Sequence, residues 1–322
     1  MASSAGKTLF VTGAATELGR EFIRQAVAAG QRVAGLVHRE KDVERVRALG
    51  GRPLLVREVN AANMARLLEQ TEPEVIVNLA GQRANTLLHD GHDWGELKPL
   101  PHLTHDLLQG IRMSKVDVQL LIQGSFAFLY GNGPTADEGS PLRPPRGDAF
   151  FKAAVKAEQL IADNEVVPFT ILRFGYFYGP QSHDLKLYEL SFKMQRPYYA
   201  GPENHRANFV HFEDAARALV LTAEKQPAGR IINIVDGTAA SFGDLIDEYA
   251  NQLGRRQPSR IPSLLVGALP LLITPQQVKM LELTADKLGY EKAEKLLGWT
   301  PQYSDYRAGL AQTLRSWGKE ES

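Results

Sequence analysis

Residues 11–19 read Val-Thr-Gly-Ala-Ala-Thr-Glu-Leu-Gly, a glycine turn set between an apolar strand pattern and an amphipathic helix pattern. Thr8–Val11 precedes it as a short apolar run, and Leu18–Ala29 follows with Leu18, Phe22, Ile23, Ala26 and Val27 at helical spacing. Gly30 closes that helix in the manner of a C-terminal glycine. Glycines in a strand–turn–helix let the backbone bend tightly and approach a diphosphate. The helix start then supplies amide donors and positive potential. Gly13, Thr16, Glu17, Leu18 and Gly19 are therefore candidate cofactor-binding residues.

Outward from this turn the rhythm repeats. Arg32–Val37, Leu54–Val56 and Val75–Leu79 read as strands, with helices at Asp42–Leu49 and Ala62–Gln70 between them. Val118–Ile122 and Phe169–Leu172 add two more strands. Strands alternating with helices of this length predict an α/β fold, a doubly wound parallel sheet of Rossmann type. Beyond Gly175 the pattern turns mainly helical, with one clear strand at Arg230–Val235, which predicts a smaller C-terminal cap. The expected division is a dinucleotide-binding domain over 1–174, to which roughly 206–236 returns, and a cap over 175–205 and 237–322. Two glycine- and proline-rich segments, Gln82–Pro101 and Gly131–Gly147, follow strands and are expected to wall the ligand crevice.

The second strand ends in Val37-His38-Arg39. An acid there would bond the 2′-hydroxyl of NAD, whereas an arginine holds the 2′-phosphate of NADP, so Arg39 favours NADP over NAD. The chain's 37 basic and 37 acidic residues balance, which gives no general attraction to nucleic acid or to an acidic membrane. With no cysteine there is no disulfide, thiol nucleophile or zinc–thiolate site. The apolar run Leu264–Ile273 is about half of what a bilayer needs and contains Pro270, so the expected location is cytoplasmic. His89, His92, His102 and His105 lie close together in sequence but lack a diagnostic ligand spacing, and no metal is expected.

These residues resemble the epimerase/dehydratase branch of the extended or atypical short-chain dehydrogenase/reductases. Thr12, Gly13 and Gly19 match the family's Thr-Gly-x-x-Gly-x-x-Gly turn, with Thr16 where the family has a glycine. Asn78-Leu79-Ala80-Gly81, Tyr130-Gly131, Leu172-Arg173 with Tyr178-Gly179-Pro180, Val210-His211 with Asp214, and Leu297-Gly298-Trp299-Thr300-Pro301 match later family motifs in order. The resemblance implies that Ala80 and Gly81 border the cofactor and that Asn60, after the third strand, meets the adenine. It also implies a small-molecule ligand between sheet and cap, near Arg83. Relatives commonly pair through two helices, but the sequence leaves open whether this chain is a homodimer.

The family's proton-transfer pair is Tyr-x-x-x-Lys. Anchored on Ala157-Glu158, this chain has Phe150 for the tyrosine and Ala154 for the lysine. Anchored on Tyr130, Phe126 takes the serine's place, with Ser125 one residue early. No tyrosine occurs between Gly131 and Gly175, so no shift of register restores the acid. Two classes of function follow. One is an oxidoreductase or epimerase with a non-standard acid or base, for which Tyr130, Ser125 and Tyr176 are the candidate catalytic residues. The other is a catalytically silent dinucleotide or metabolite sensor, or a structural subunit.

Overall fold

The computed structural model describes residues 6–85, 98–131, 136–143, 149–195, 197–200, 206–262, 265 and 288–320. Strands β1 (Thr8–Thr12), β2 (Arg32–Val37), β3 (Arg52–Leu55), β4 (Val75–Asn78), β5 (Leu120–Phe126), β6 (Phe169–Phe174) and β10 (Arg230–Ile234) form one sheet. Their order is β10-β6-β5-β4-β1-β2-β3, and every pair is parallel. A parallel sheet is covered on both faces, which is why Leu9, Phe10 and Val11 are all fully buried rather than alternating. The chain leaves β1 toward β2 on one side and returns as β4 on the other. The crevice of such a sheet therefore lies beyond the C-terminal ends of β1 and β4.

Helices α1 (Glu17–Ala28), α2 (Glu40–Ala48), α3 (Ala61–Thr71), α4 (Leu100–Ser114), α5 (Ala149–Ala162) and α7 (Phe212–Lys225) flank the sheet. Two apolar layers result, one holding Leu18, Phe22 and Ala26 of α1, the other Met64 and Leu68 of α3 with Leu107 and Ile111 of α4. A third cluster joins α5 to α6 (His183–Lys193), α8 (Phe242–Gln252) and the C-terminal helix α10 (Tyr306–Glu320), with α9 (Glu291–Leu297) packed by the large sheet. Short strands β7 (Tyr176–Tyr178), β9 (Arg206–His211) and β11 (Ala239–Ser241) make a three-stranded sheet in the order β11-β9-β7. β8 (Tyr198–Ala200) pairs with β12 (Ser259–Ile261).

Helix α4 departs from the sequence expectation, which took Pro99 and Pro101 as part of a long loop. The two prolines instead stand at the cap and in the first turn of α4. The amide that proline lacks has no partner at a helix start, and its fixed φ suits that turn. Among the described residues no helix is long and apolar enough to cross a membrane. Apart from Leu265, the run 264–273 lies outside the described residues.

Candidate functional site

Gly13 adopts φ +65°, and a Cβ there would stand 2.7 Å from the carbonyl oxygen of Leu79. Gly19 is equally constrained, since its Cβ would meet the Gly13 carbonyl. The chain thus folds the turn flat against the end of β4, which only glycine permits at both positions. Thr16 caps α1: its hydroxyl accepts from the Gly19 amide at 3.0 Å and donates to the Gly13 carbonyl at 2.8 Å. The threonine's oxygen is spent inside the turn rather than offered to a ligand. The amides of Glu17 and Leu18, at the first two helical positions, have no intrahelical acceptor.

Beneath this turn a row of polar side chains crosses three strands. Thr12, Asn78 and Gln123 are partners in register on β1, β4 and β5. The Thr12 hydroxyl donates to Asn78 Oδ1 at 2.5 Å, and Asn78 Nδ2 donates to Gln123 Oε1 at 2.7 Å. Thr12 also accepts the Leu79 amide at 3.1 Å, which fixes the start of the Leu79-Ala80-Gly81 segment. Strand-end backbone and turn are held rigid by groups that satisfy one another.

A cleft of about 580 Å³ opens above this floor. Gly13, Thr16, Arg39, Ala80 and Gly81 line it, with Arg83 beside them, whereas Glu17, Leu18 and Gly19 of the turn are not among its lining residues. His38, Asp42, Arg57, Glu58 and Val59 line its far end. A groove of this volume with glycine backbone at one point and cations at another fits a dinucleotide. Asn60 does not take the place expected for it: its side chain caps α3, accepting from the Asn63 amide at 2.9 Å, and Arg57, Glu58 and Val59 reach the cleft instead. A strand-end asparagine is as good a helix cap as an adenine partner, and here the cap prevails.

Asp42 was also missed. It is buried in the first turn of α2, with Oδ2 2.7 Å from Arg39 Nε and Oδ1 3.0 Å from an Arg45 terminal nitrogen. Burial would raise its carboxyl, but the two guanidinium groups outweigh that and hold it below the usual carboxylate range.

The three candidate catalytic residues lie elsewhere. Ser125, Arg173 and Asn233 occupy one register row on β5, β6 and β10. The Ser125 hydroxyl donates to Glu158 Oε2 at 2.5 Å, and Glu158 is ion-paired with Arg173, both almost wholly buried. Arg173 also donates to the Tyr130 oxygen at 2.7 Å, and the Tyr130 hydroxyl donates to Asn233 Oδ1 at 2.8 Å. Burial pushes the Tyr130 phenol up to about 12, against the pull of Arg173. Tyr176 is fully buried, its ring stacked 5.7 Å from that of Phe128, and burial drives its phenol well above the ordinary value. None of the three is among the residues lining the cleft. Ala154 packs with Phe126, Phe128 and Phe151 in an apolar cluster that abuts Ala80. Phe150 falls in the first turn of α5.

His89 and His92 lie outside the described residues. His102 and His105 sit exposed on α4 beside Asp106, and among the described residues no group of three or more histidine or carboxylate side chains could hold a metal ion.

The sequence model of the NAD-dependent epimerase/dehydratase family matches residues 9–235. A 3-diazoavenalumate denitrifying reductase from a Streptomyces species is 24% identical over 328 residues, covering 94% of this chain and 99% of the relative. Among solved structures, a dTDP-glucose 4,6-dehydratase from Bacillus anthracis in complex with NAD superposes with a TM-score of 0.77 at 16% identity, covering 98% of each chain. A UDP-glucose 4-epimerase from Thermotoga maritima gives 0.75 at 20% identity, over 98% of this chain and all of the other.

Proposed function

Because the chain belongs to the NAD-dependent epimerase/dehydratase family, we propose that it is a nicotinamide-dependent reductase that prefers NADP(H) and acts on a small molecule held between sheet and cap. The observation that carries this reading is the joining, in one cleft, of the glycine turn at Gly13 and the cations at Arg39 and Arg57. The glycine turn from Gly13 to Thr16, at the head of α1, would hold the diphosphate, Arg39 the adenosine ribose, and Ala80 and Gly81 the middle of the molecule. Bound there, the cofactor supplies a hydride donor.

Tyr130 and Ser125 are read as scaffold, since each gives its proton to a buried partner, and Tyr176 as part of the aromatic core. Such a site suits electrophiles that accept hydride without a proton from the protein. Cationic nitrogen compounds, including the protonated form of a diazo compound, are of that kind. The name of the Streptomyces relative supports a reductive chemistry of this class, and the sensing and structural alternatives gain nothing from these relatives.

Titration with NADPH and NADH, followed by nucleotide fluorescence, tests the cofactor reading. Saturable binding is expected for the wild-type chain. Gly13→Val should lose at least tenfold for both nucleotides, since its side chain would displace the β4 end. A wild-type chain that binds neither nucleotide would refute the proposal.

A further inference from the structure

Two arginines, not one, stand at the far end of the cleft, and the sheet register explains why. Val37 of β2 and Leu55 of β3 are direct partners, and Arg39 and Arg57 each lie two residues beyond. Neighbouring strands run about 4.8 Å apart, so the chains enter these positions side by side. Two contacts keep the strand ends together past the last pair: the Val56 amide donates to the Val37 carbonyl at 2.9 Å, and His38 Nδ1 lies 3.0 Å from the Val56 carbonyl. Both arginines are exposed at the surface and both line the cleft.

Asp42 decides what this pair can hold. A carboxylate at the ribose end would ordinarily serve the two hydroxyls of an unphosphorylated adenosine. Here it is 1% exposed and both its oxygens are taken by Arg39 and Arg45. The Arg39 bond uses Nε alone, so the carboxylate fixes the guanidinium without occupying its terminal nitrogens. Asp42 neutralises one of the two arginines it touches. Counting Arg39, Arg45 and Arg57 against Asp42 and Glu58, the end of the cleft keeps one net positive charge.

We propose that Arg57 is a specificity-determining residue which, with Arg39, clamps a phosphate on the 2′-oxygen of adenosine, while Asp42 positions Arg39 instead of binding ribose. The inference rests on the dinucleotide reading and adds to it a residue from β3, where the sequence pointed only to β2. Guanidinium pairs suit phosphate because several N–H groups can meet its oxygens at once.

The test uses the full chain and two probes, 2′,5′-ADP and 5′-ADP, by calorimetry, with NADPH and NADH titrated alongside. The wild type is expected to prefer 2′,5′-ADP and NADPH. Arg57→Ala should weaken both phosphorylated ligands by about tenfold to a hundredfold, the effect of losing a charge-assisted contact, and change NADH by less than about twofold. Arg39→Ala should act on the same pair of ligands. Arg57→Ala that weakens NADPH and NADH alike, or neither, overturns the clamp. So does a wild type that binds NADH as tightly as NADPH, which would leave the dinucleotide reading standing. Failure of both nucleotides to bind the wild type would remove that reading and the clamp together.

Discussion

The cleft at Gly13 and the interior around Arg173 are built from ends of the same parallel sheet, and they use polar groups in opposite ways. Around Gly13, Thr12 and Asn78 satisfy one another below, and the glycine turn and the arginines of the rim line the cleft. Around Arg173, the Ser125 hydroxyl, the Glu158 carboxylate, the Tyr130 phenol and the Asn233 amide close on each other inside the protein. Sequence motifs alone cannot separate these cases, because a tyrosine in a crevice-side motif looks the same whether its hydroxyl faces a substrate or a buried arginine. Register separates them. Ser125, Arg173 and Asn233 share one row, so the polar side chains meet before they can meet a ligand.

The sharpest way to break this contrast is to remove the carboxylate at its centre. Glu158→Ala leaves Arg173 buried without its counter-ion, a change expected to destabilise the fold by about 3–5 kcal/mol. Urea unfolding should show it as a lower midpoint. The double variant Glu158→Ala/Arg173→Met should recover part of the loss, because the uncompensated charge is then gone. If Glu158→Ala unfolds like the wild type, the network is not the scaffold described.

A second prediction concerns acid and turns to another buried polar residue, His211. This residue is fully buried, and its Nδ1 accepts the Glu213 amide at the start of α7. Burial lowers its pKa from 6.5 to about 4, against the attraction of Asp214. Above pH 6.5 the ring is neutral in both folded and unfolded chains, and its contribution to stability is complete. As pH falls the unfolded chain takes up the proton first, so stability on the order of 3 kcal/mol drains away and is gone once pH passes about 4. His211→Asn keeps a cap for α7 and should flatten that part of the stability–pH curve. Denaturation midpoints across pH 4–7 that coincide for the two proteins would contradict it.

Much of the fold was legible because its signals are local and periodic. The run Leu9-Phe10-Val11 and the spacing of Leu18, Phe22 and Ala26 each point to one element, whereas Thr16, read as a cofactor residue, proves to cap α1. Helix α4 was obscured because proline was read as an interruption, although its place in the first turn makes it a start. At the site, the glycine turn could be read from its own residues. Arg57 could not, since its role comes from the pairing of β2 with β3, which brings it abreast of Arg39 across 18 positions of chain. Asn60 misled for the converse reason: the helix it caps begins at the next residue, and a local partner took the side chain first.

The smallest expected effect tests the contrast most closely, because it touches the tyrosine that sequence motifs favoured for chemistry. Tyr130→Phe deletes one hydroxyl that donates to Asn233 and accepts from Arg173. Arg173 keeps its pair with Glu158, so no charge is stranded and the expected loss is about 1 kcal/mol, a single net hydrogen bond. The ring also keeps its place under the Arg173 guanidinium, 4.8 Å from its centre. NADPH affinity should stay within about twofold, because the hydroxyl does not reach the cleft. Once a substrate is in hand, kcat should likewise hold across pH 7–9, a range over which a phenol near 12 stays protonated in any case. A kcat falling a hundredfold or more with stability nearly unchanged would move Tyr130 from the interior's account to the cleft's, and the two regions would then have to be read as one.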